Sequence, residues 1–439
     1  MSKNAGYYRL DSFYVQALNE PGKYAEGIEL KRAVVQFNIT ESIDQSFLNG
    51  SAVVSESFDA LKKVPLRGEE RLTVSFTDYF DESYEYVFYV YAITDLKKDP
   101  ATNGKLMTYT LHFTTFQKLE SDKSYVRKSF GEERVSNMAS QVFERYFNGD
   151  KEIEVQDTDS KQTLVIPRLR SDEAMTFLAR RASTADSPSS LFTFFETREK
   201  YYFMAYEKLV EKKIDLVASS ATAEENQLKY IYTTMNDNEP AGQRVAQFTM
   251  NELSYLDRSN TIKSMKQGAY KRNITELDYY NKFRIRTTYD YLEEQPKHFA
   301  IDKLSKINTD AFVEAYMPDE EAPEVVYITD YNQLGVAQGR DGSLAPFRNY
   351  AQNYMTKTVI DYHMKNSSVT CLINGQGKLM PGSMIYLEVL EFNEDIKGSV
   401  IDQERSGPYL ITSVINIFSG DQYKQQLTIT KGGLRRTTV

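Results

Sequence analysis

The sequence predicts an α+β chain that is mainly β: two similar antiparallel β-barrel domains, an α+β domain and an inserted subdomain. Three observations carry this. The close of the chain, 378–431, alternates with the two-residue period of half-buried strands. Ile385, Leu387 and Val389 oppose Met384, Tyr386 and Glu388, and Leu427 and Ile429 stand between Gln426, Thr428 and Thr430. A similar pattern lies near the start, where Val64, Pro65, Leu66, Arg67 and Gly68 lead into Leu72, Val74 and Phe76, alternating with Thr73, Ser75 and Thr77. Between them, from about Glu120, the period becomes helical.

Taken in order, the first barrel domain covers 1–120. Strands are expected at 34–39, 52–55, 72–77, 86–94 and 107–115, with Asn49-Gly50 as a turn and Asn103-Gly104 in a hairpin loop. In the last of these strands Tyr109, Leu111 and Phe113 share one face. His112 falls on the other, which makes it a polar-face side chain rather than a catalyst. The α+β domain covers 121–212. Val135, Met138, Ala139, Val142, Phe143 and Tyr146 recur at helical spacing and Asn148-Gly149 stops the helix. Short strands follow at Ile153 and Val155 and at 164–166. Ser171, with Asp172 and Glu173 behind it, opens a helix by capping, and its apolar stripe is Ala174, Phe177, Leu178 and Ala182. A hairpin then spans 191–206.

The second barrel domain is expected to be discontinuous, 213–288 and 364–439. Its strands begin at 228–234, 243–250 pairs nearby, and 270–288 is polar, Tyr-rich and strand-like. The inserted subdomain, 289–363, is acidic and Pro-bearing at 317–324, loosened by Gly335, Gly339 and Gly342, and ends in a helix at about 343–363 with Pro346 in its first turn.

Composition narrows function. Net charge is −9, from 53 basic and 62 acidic residues in small mixed clusters, so no continuous basic surface offers itself to nucleic acid. Nothing approaches the run of roughly 18 apolar residues that spans a membrane, and residues 1–7 lack the layout of a secretory signal. The single Cys371 excludes an intramolecular disulfide, and three separated histidines, His112, His298 and His363, offer no metal-ligand spacing. Nucleophile-elbow, Walker and dinucleotide motifs are missing. Asp157-Thr158-Asp159 lacks the rest of a calcium loop and reads as a solvated turn. Glu69-Glu70 lies at the mouth of a repeated strand, an edge or surface position rather than a glycosidase pair. No cofactor is expected. Thirty-two tyrosines without tryptophan suit half-buried sheet and subunit surface.

A β unit carried twice, with no visible active site, suggests architecture: three chains would place six similar units in a ring. The runs VPLRGEERLTVSF from Val64, SDEAMTFLARRA from Ser171, the hairpin from Leu191, LMPGSMIYLEV from Leu379 and SGPYLITSVINIFSGDQYKQQLTITK from Ser406 resemble the baseplate hub protein of contractile-tailed bacteriophages. The resemblance covers most of the chain in the expected order. It extends to the hub part of type VI secretion spike proteins. It implies a non-enzymatic homotrimer of tube-type barrels, a pseudo-hexameric ring in the virion tail baseplate assembled in the host cytoplasm. The implied partners are a trimeric central spike, the tail tube and baseplate wedge proteins, with the tape measure protein a further candidate. DNA would pass through during ejection without specific binding. The corners Arg67, Gly68, Glu69 and Glu70, and Pro381, Gly382 and Ser383, are expected to hold corresponding places at a subunit or tube interface. Two alternatives stand beside it: the hub of a secretion or injection machine without DNA, and a tail-associated cell-wall hydrolase.

Overall fold

The computed structural model describes residues 3–20, 23–58, 67–159, 161–184, 190–211, 228–233, 246–250, 252–255, 271–278, 282–290, 305–306, 324–328, 357–358, 360–362, 364–365, 368–393, 398–431 and 434–435. The expectations for 64–66, for the glycines at 335, 339 and 342, for His298 and His363, and for most of the helix at 343–363 lie outside them. Residues 357–358, 360–362 and 364–365 are helical, with Ile360 and Met364 buried.

The first unit is built from β1 (Arg9–Gln16), β2 (Val34–Ser42), β3 (Asn49–Glu56), β4 (Arg71–Thr77), β5 (Ser83–Lys98) and β6 (Met107–Thr114). Alternation places Leu72, Val74, Phe76, Tyr109, Leu111 and Phe113 in one core, and His112 stays on the polar face, 2.9 Å from the Thr94 hydroxyl. Asn103 and Gly104 take left-handed φ of 55° and 73° in the loop joining β5 and β6, the conformation that Asn and Gly tolerate best.

Asn49-Gly50 is no turn. Both residues open β3, and Gly50 lies between Ile39 and Phe113 in the sheet. A Cβ there would stand 2.3 Å from the Asn38 carbonyl oxygen and 2.4 Å from the Phe113 ring, so glycine is required by the close approach of two strands. Gly50→Val is expected to cost more than about 3 kcal/mol, because backbone rather than a side-chain tip must yield. Chemical denaturation would measure it, and a loss below about 1 kcal/mol would contradict the packing.

The middle elements are α1 (Phe116–Lys123), β7 (Tyr125–Arg134), α2 (Val135–Tyr146), β8 (Ile153–Val155), β9 (Lys161–Arg170), α3 (Ser171–Arg181), β10 (Phe192–Glu196), β11 (Tyr201–Ala205) and α4 (Tyr206–Glu211). β7 pairs with β9, and β8, β11 and β10 form a second small sheet. The stripes of α2 and α3 meet the hairpin in one core with Phe192, Phe194, Tyr201 and Phe203. Two local expectations are corrected. Ser171 does not cap α3; it is the helix's first residue and its hydroxyl bonds that of Ser121, while Glu173 accepts the Arg170 amide at 2.9 Å. Nor is 157–159 wholly solvated, because Thr158 is buried and its hydroxyl oxygen accepts the Ser136 amide at 3.0 Å, closing the start of α2.

The remaining described strands are β12 (Lys229–Thr233), β13 (Glu252–Tyr255), β14 (Lys271–Asp278), β15 (Phe283–Asp290), β16 (Glu324–Ile328), β17 (Val369–Asn374), β18 (Met384–Asn393), β19 (Gly398–Ile401), β20 (Gly407–Ser419) and β21 (Gln422–Thr430). β14 pairs with β15 and, across the expected boundary at 288, with β16, as a separate three-stranded sheet. The others join the first unit. A sheet of fourteen strands runs β13-β17-β21-β20-β2-β3-β6-β5-β4-β1 and on to the two-residue strand Ile28–Glu29, with β18 beside β20 and β12 and β19 beside β18. Mainly β character is therefore observed, but closed barrels are not found among the described residues. The physical reason is the length of β20. Its first residues pair with β18 as far as Leu410, and from Ser413 the same edge pairs with β2 of the other unit.

The two units share much of their strand pairing. Tyr89 lies between Arg71 and Thr114, as Leu410 lies between Met384 and Thr430. Two residues later each long strand bulges, at Tyr91 in β5 and at Thr412 in β20, after which Ala92 faces His112 and Ser413 faces Thr428. β3 pairs with β6 and β2 with β3, as β17 pairs with β21 and β13 with β17, antiparallel throughout. The sixth strand differs: β1 is antiparallel to β4, whereas β12 is parallel to β18.

Candidate assembly surface

The two corners occupy equivalent places. The Val90 amide bonds the Glu70 carbonyl at 2.8 Å, and the Ile411 amide bonds the Ser383 carbonyl at 2.9 Å, each just before its bulge. Their surroundings differ. Arg67 and Glu69 are exposed, and Glu70 is buried, its carboxylate accepting the amides of Arg67, Gly68 and Glu69. Glu70 thus clamps its own loop, which the surface reading of Glu69-Glu70 missed. Pro381, Gly382 and Ser383 are all buried, and Gly382, at φ 81°, packs against Leu209 of α4 and Phe195 of β10. The second corner is covered by the middle domain; the first is open.

The strongest junction is the seam between β20 and β2, seven residues from Ser413 opposite Ser42 to Ser419 opposite Gln36. Phe418, from the closing strand, leaves its own unit and enters the first unit's core. Its ring stacks on Phe37 at 4.2 Å and on Tyr423 at 4.4 Å and tilts against Phe76 at 4.7 Å and Tyr8 at 5.0 Å. Beside the rings runs a buried polar chain. Tyr423 and Gln425 both donate to Asn416 Oδ1, at 2.6 and 2.8 Å, the Gln376 amide donates to Gln425, and Tyr230 donates to Gln376. Such a chain fixes register, because slipping the seam would strand its buried groups.

Charges complete the seam. Glu41, on the inward face of β2 after Phe37 and Ile39, accepts the Tyr86 hydroxyl at 2.9 Å and leaves Oε2 without a hydrogen bond. The hairpin turn of the middle domain inserts Arg198 here. Its guanidinium donates to the Gly377 carbonyl at 2.9 Å and lies 4.4 Å over the Tyr84 ring, and together with Lys151 it supplies the charge that offsets Glu41. Asp78 ties the two units from the other side, accepting the amides of Phe80, Glu82 and Gly377. Burial pushes both Glu41 and Asp78 above the usual carboxylate range, against these bonds and charges.

A carboxyl with a raised folded pKa holds its proton longer than in the unfolded chain. Its contribution to stability is complete below the ordinary carboxylate range and is lost as pH rises through the folded value. Glu41→Gln is therefore expected to flatten the fall of Tm as pH rises above the ordinary carboxylate range. A Tm profile parallel to that of the native chain would contradict the assignment.

Sequence reading did not find Glu41, Asp78, Arg198 or Phe418. Only Glu41 left a signal, as a carboxylate at an inward position of an apolar alternation; Arg198 sits in a turn with no pattern around it. Among the described residues no group of three or more His, Cys, Asp or Glu side chains could hold a metal, and no helix is long and apolar enough to cross a membrane.

No family model and no curated protein matches the sequence. Solved structures do match. The 43 kDa tail protein of prophage MuSo2 from Shewanella oneidensis aligns over 96% of this chain and 98% of its own, with a TM-score of 0.51 at 11% identity. The tail protein from Neisseria meningitidis MC58 aligns over 98% of both, with a TM-score of 0.53 at 8% identity. A Francisella PdpA–VgrG complex aligns with 98% of this chain and 59% of the matched chain, at a TM-score of 0.47 and 9% identity. Over nearly its whole length, the chain has the fold of the prophage tail protein from Shewanella and of the tail protein from Neisseria.

Proposed function

We propose that this chain is the structural hub of a contractile phage tail. Three copies form a ring of six similar β units that adapts the six-fold tail tube to a three-fold central spike. The carrying observation is the repeat itself: two units with the same strand order and the same bulge, joined edge to edge in one sheet. The fold shared with the Shewanella and Neisseria tail proteins supports the tail setting. Each unit is a tube-type barrel wall whose closure requires its neighbours. In this reading the protein is non-enzymatic and resides in the virion baseplate. It meets the tail tube at one end, the spike at the other and wedge proteins outside, and DNA crosses the lumen past an acidic protein with little adsorption.

The open corner around Arg67 and Glu69 is the part of the repeat that a neighbour or the tube covers; the buried corner around Gly382 is already covered within the chain. Mass measurement of the purified chain, alone and mixed with the trimeric spike, tests the reading. A three-chain species is expected, and a monomer under both conditions would overturn it.

A further inference from the structure

The seam inside the chain has a counterpart that one chain leaves unmade. In the second unit the far half of β20, beyond its bulge, is covered by β2, and Asn416 there is buried. In the first unit the equivalent half of β5, residues 91–98, pairs with β6 on one edge and, among the described residues, with no strand on the other. The first corner lies against its start, where a Cβ on Gly68 would stand 3.1 Å from the Tyr91 carbonyl oxygen, and beyond that the strand is exposed, Leu96 by 57%. The strand equivalent to β2 in the second unit is β13, because Leu253 faces Cys371 as Phe37 faces Ala52. β13 ends the sheet, and no described strand lies on its outer edge. Among the described residues each chain therefore carries, beyond the first corner, two unpaired edges of a joint it already makes internally.

We propose that residues 91–98 of β5 add antiparallel to β13 of a second copy of this chain, repeating between chains the β20–β2 pairing found within one. The proposal rests on the ring reading and names its interchain contact. The partners on β6 and β21 set the register, across a second bulge in β5, between Thr94 and Lys97, that β20 lacks. Lys97, opposite Thr108, stands where Ile417 stands opposite Lys424, and Ile417 faces Asn38, whose counterpart is Ser254. Lys97 thus faces Ser254 of the second copy, with Glu252 of that copy diagonal on the same face, within reach of a long side chain. Where the internal seam has Ile417 and Phe418, this one has Lys97 and Lys98, with Lys97 diagonal to Glu252 and Asp99 opposite it. It is held by backbone pairing rather than by stacked rings. The contact is heterologous, head to tail, and a closed ring of three uses every edge.

The test is a full-length double variant, Lys97→Cys with Ser254→Cys, oxidised and run on a denaturing gel without reductant. A covalent species of three chains is expected, while Lys98→Cys with Ser254→Cys, on opposite faces of the pleat, gives no cross-link. If the native chain is trimeric and the first pair does not cross-link, the strand pairing is wrong and the ring stands. A ladder longer than three chains overturns closure, and a native chain that stays monomeric overturns both.

Discussion

Replacing Phe418 with alanine is expected to destabilise the protein by about 3–5 kcal/mol, the cost of emptying a large aromatic site in a packed core. The side chain is fully buried among Tyr8, Phe37, Phe76 and Tyr423, four rings that approach from different strands and the N-terminal segment. Little can collapse into the space, since Phe37 and Tyr423 are held in their strands by the pairing of β2 with β20 and of β20 with β21. The loss should appear first in the opposite half of the molecule. Phe418 belongs to the closing strand, but the core it fills is that of the first unit. Hydrogen exchange should therefore show reduced protection in β2 and β4 as well as in β20. Equilibrium unfolding that shifts by less than about 1 kcal/mol, or exchange that changes only in the closing strands, would mean that the two units are independent.

Arg198→Ala is expected to cost about 3–5 kcal/mol, the range found when one partner of a buried charged cluster is removed. The guanidinium bonds the Gly377 carbonyl, covers Tyr84 and offsets Glu41, so its loss opens the middle domain's grip on both units and leaves a carboxylate buried with one oxygen unbonded. Adding Glu41→Gln should recover part of the loss, because the amide carries no charge to strand. A double-mutant cycle separates the two contributions. Additive effects, with no recovery in the double variant, would show that Arg198 acts through packing alone.

Much of this was legible in the sequence because strands write their burial into a two-residue period. The alternations around Leu72, Leu111, Leu387 and Leu427 gave the correct faces, and the helical stripes from Val135 and from Ala174 gave the middle domain its core. The repeat was visible for the same reason: corresponding strands keep corresponding inward positions. What the sequence did not carry is which strand lies beside which. Gly50 looked like a turn because glycine beside asparagine usually makes one, and only the approach of Asn38 and Phe113 explains it. Nothing in the alternation marks Phe418 as crossing units, since periodicity does not tell whose core a face meets. Arg198 and Asp78 act at a meeting of three segments far apart in the chain, where no local spacing exists to be read.

The central claim is that one β unit, carried twice, builds a ring from three chains. Electron microscopy of the purified assembly, classified without imposed symmetry, tests it most directly. The account predicts end-on views of a six-lobed ring in which alternate lobes are alike, giving true three-fold and approximate six-fold symmetry. Single two-lobed particles at every concentration and in the presence of the spike, or rings with a lobe count other than six, would contradict it.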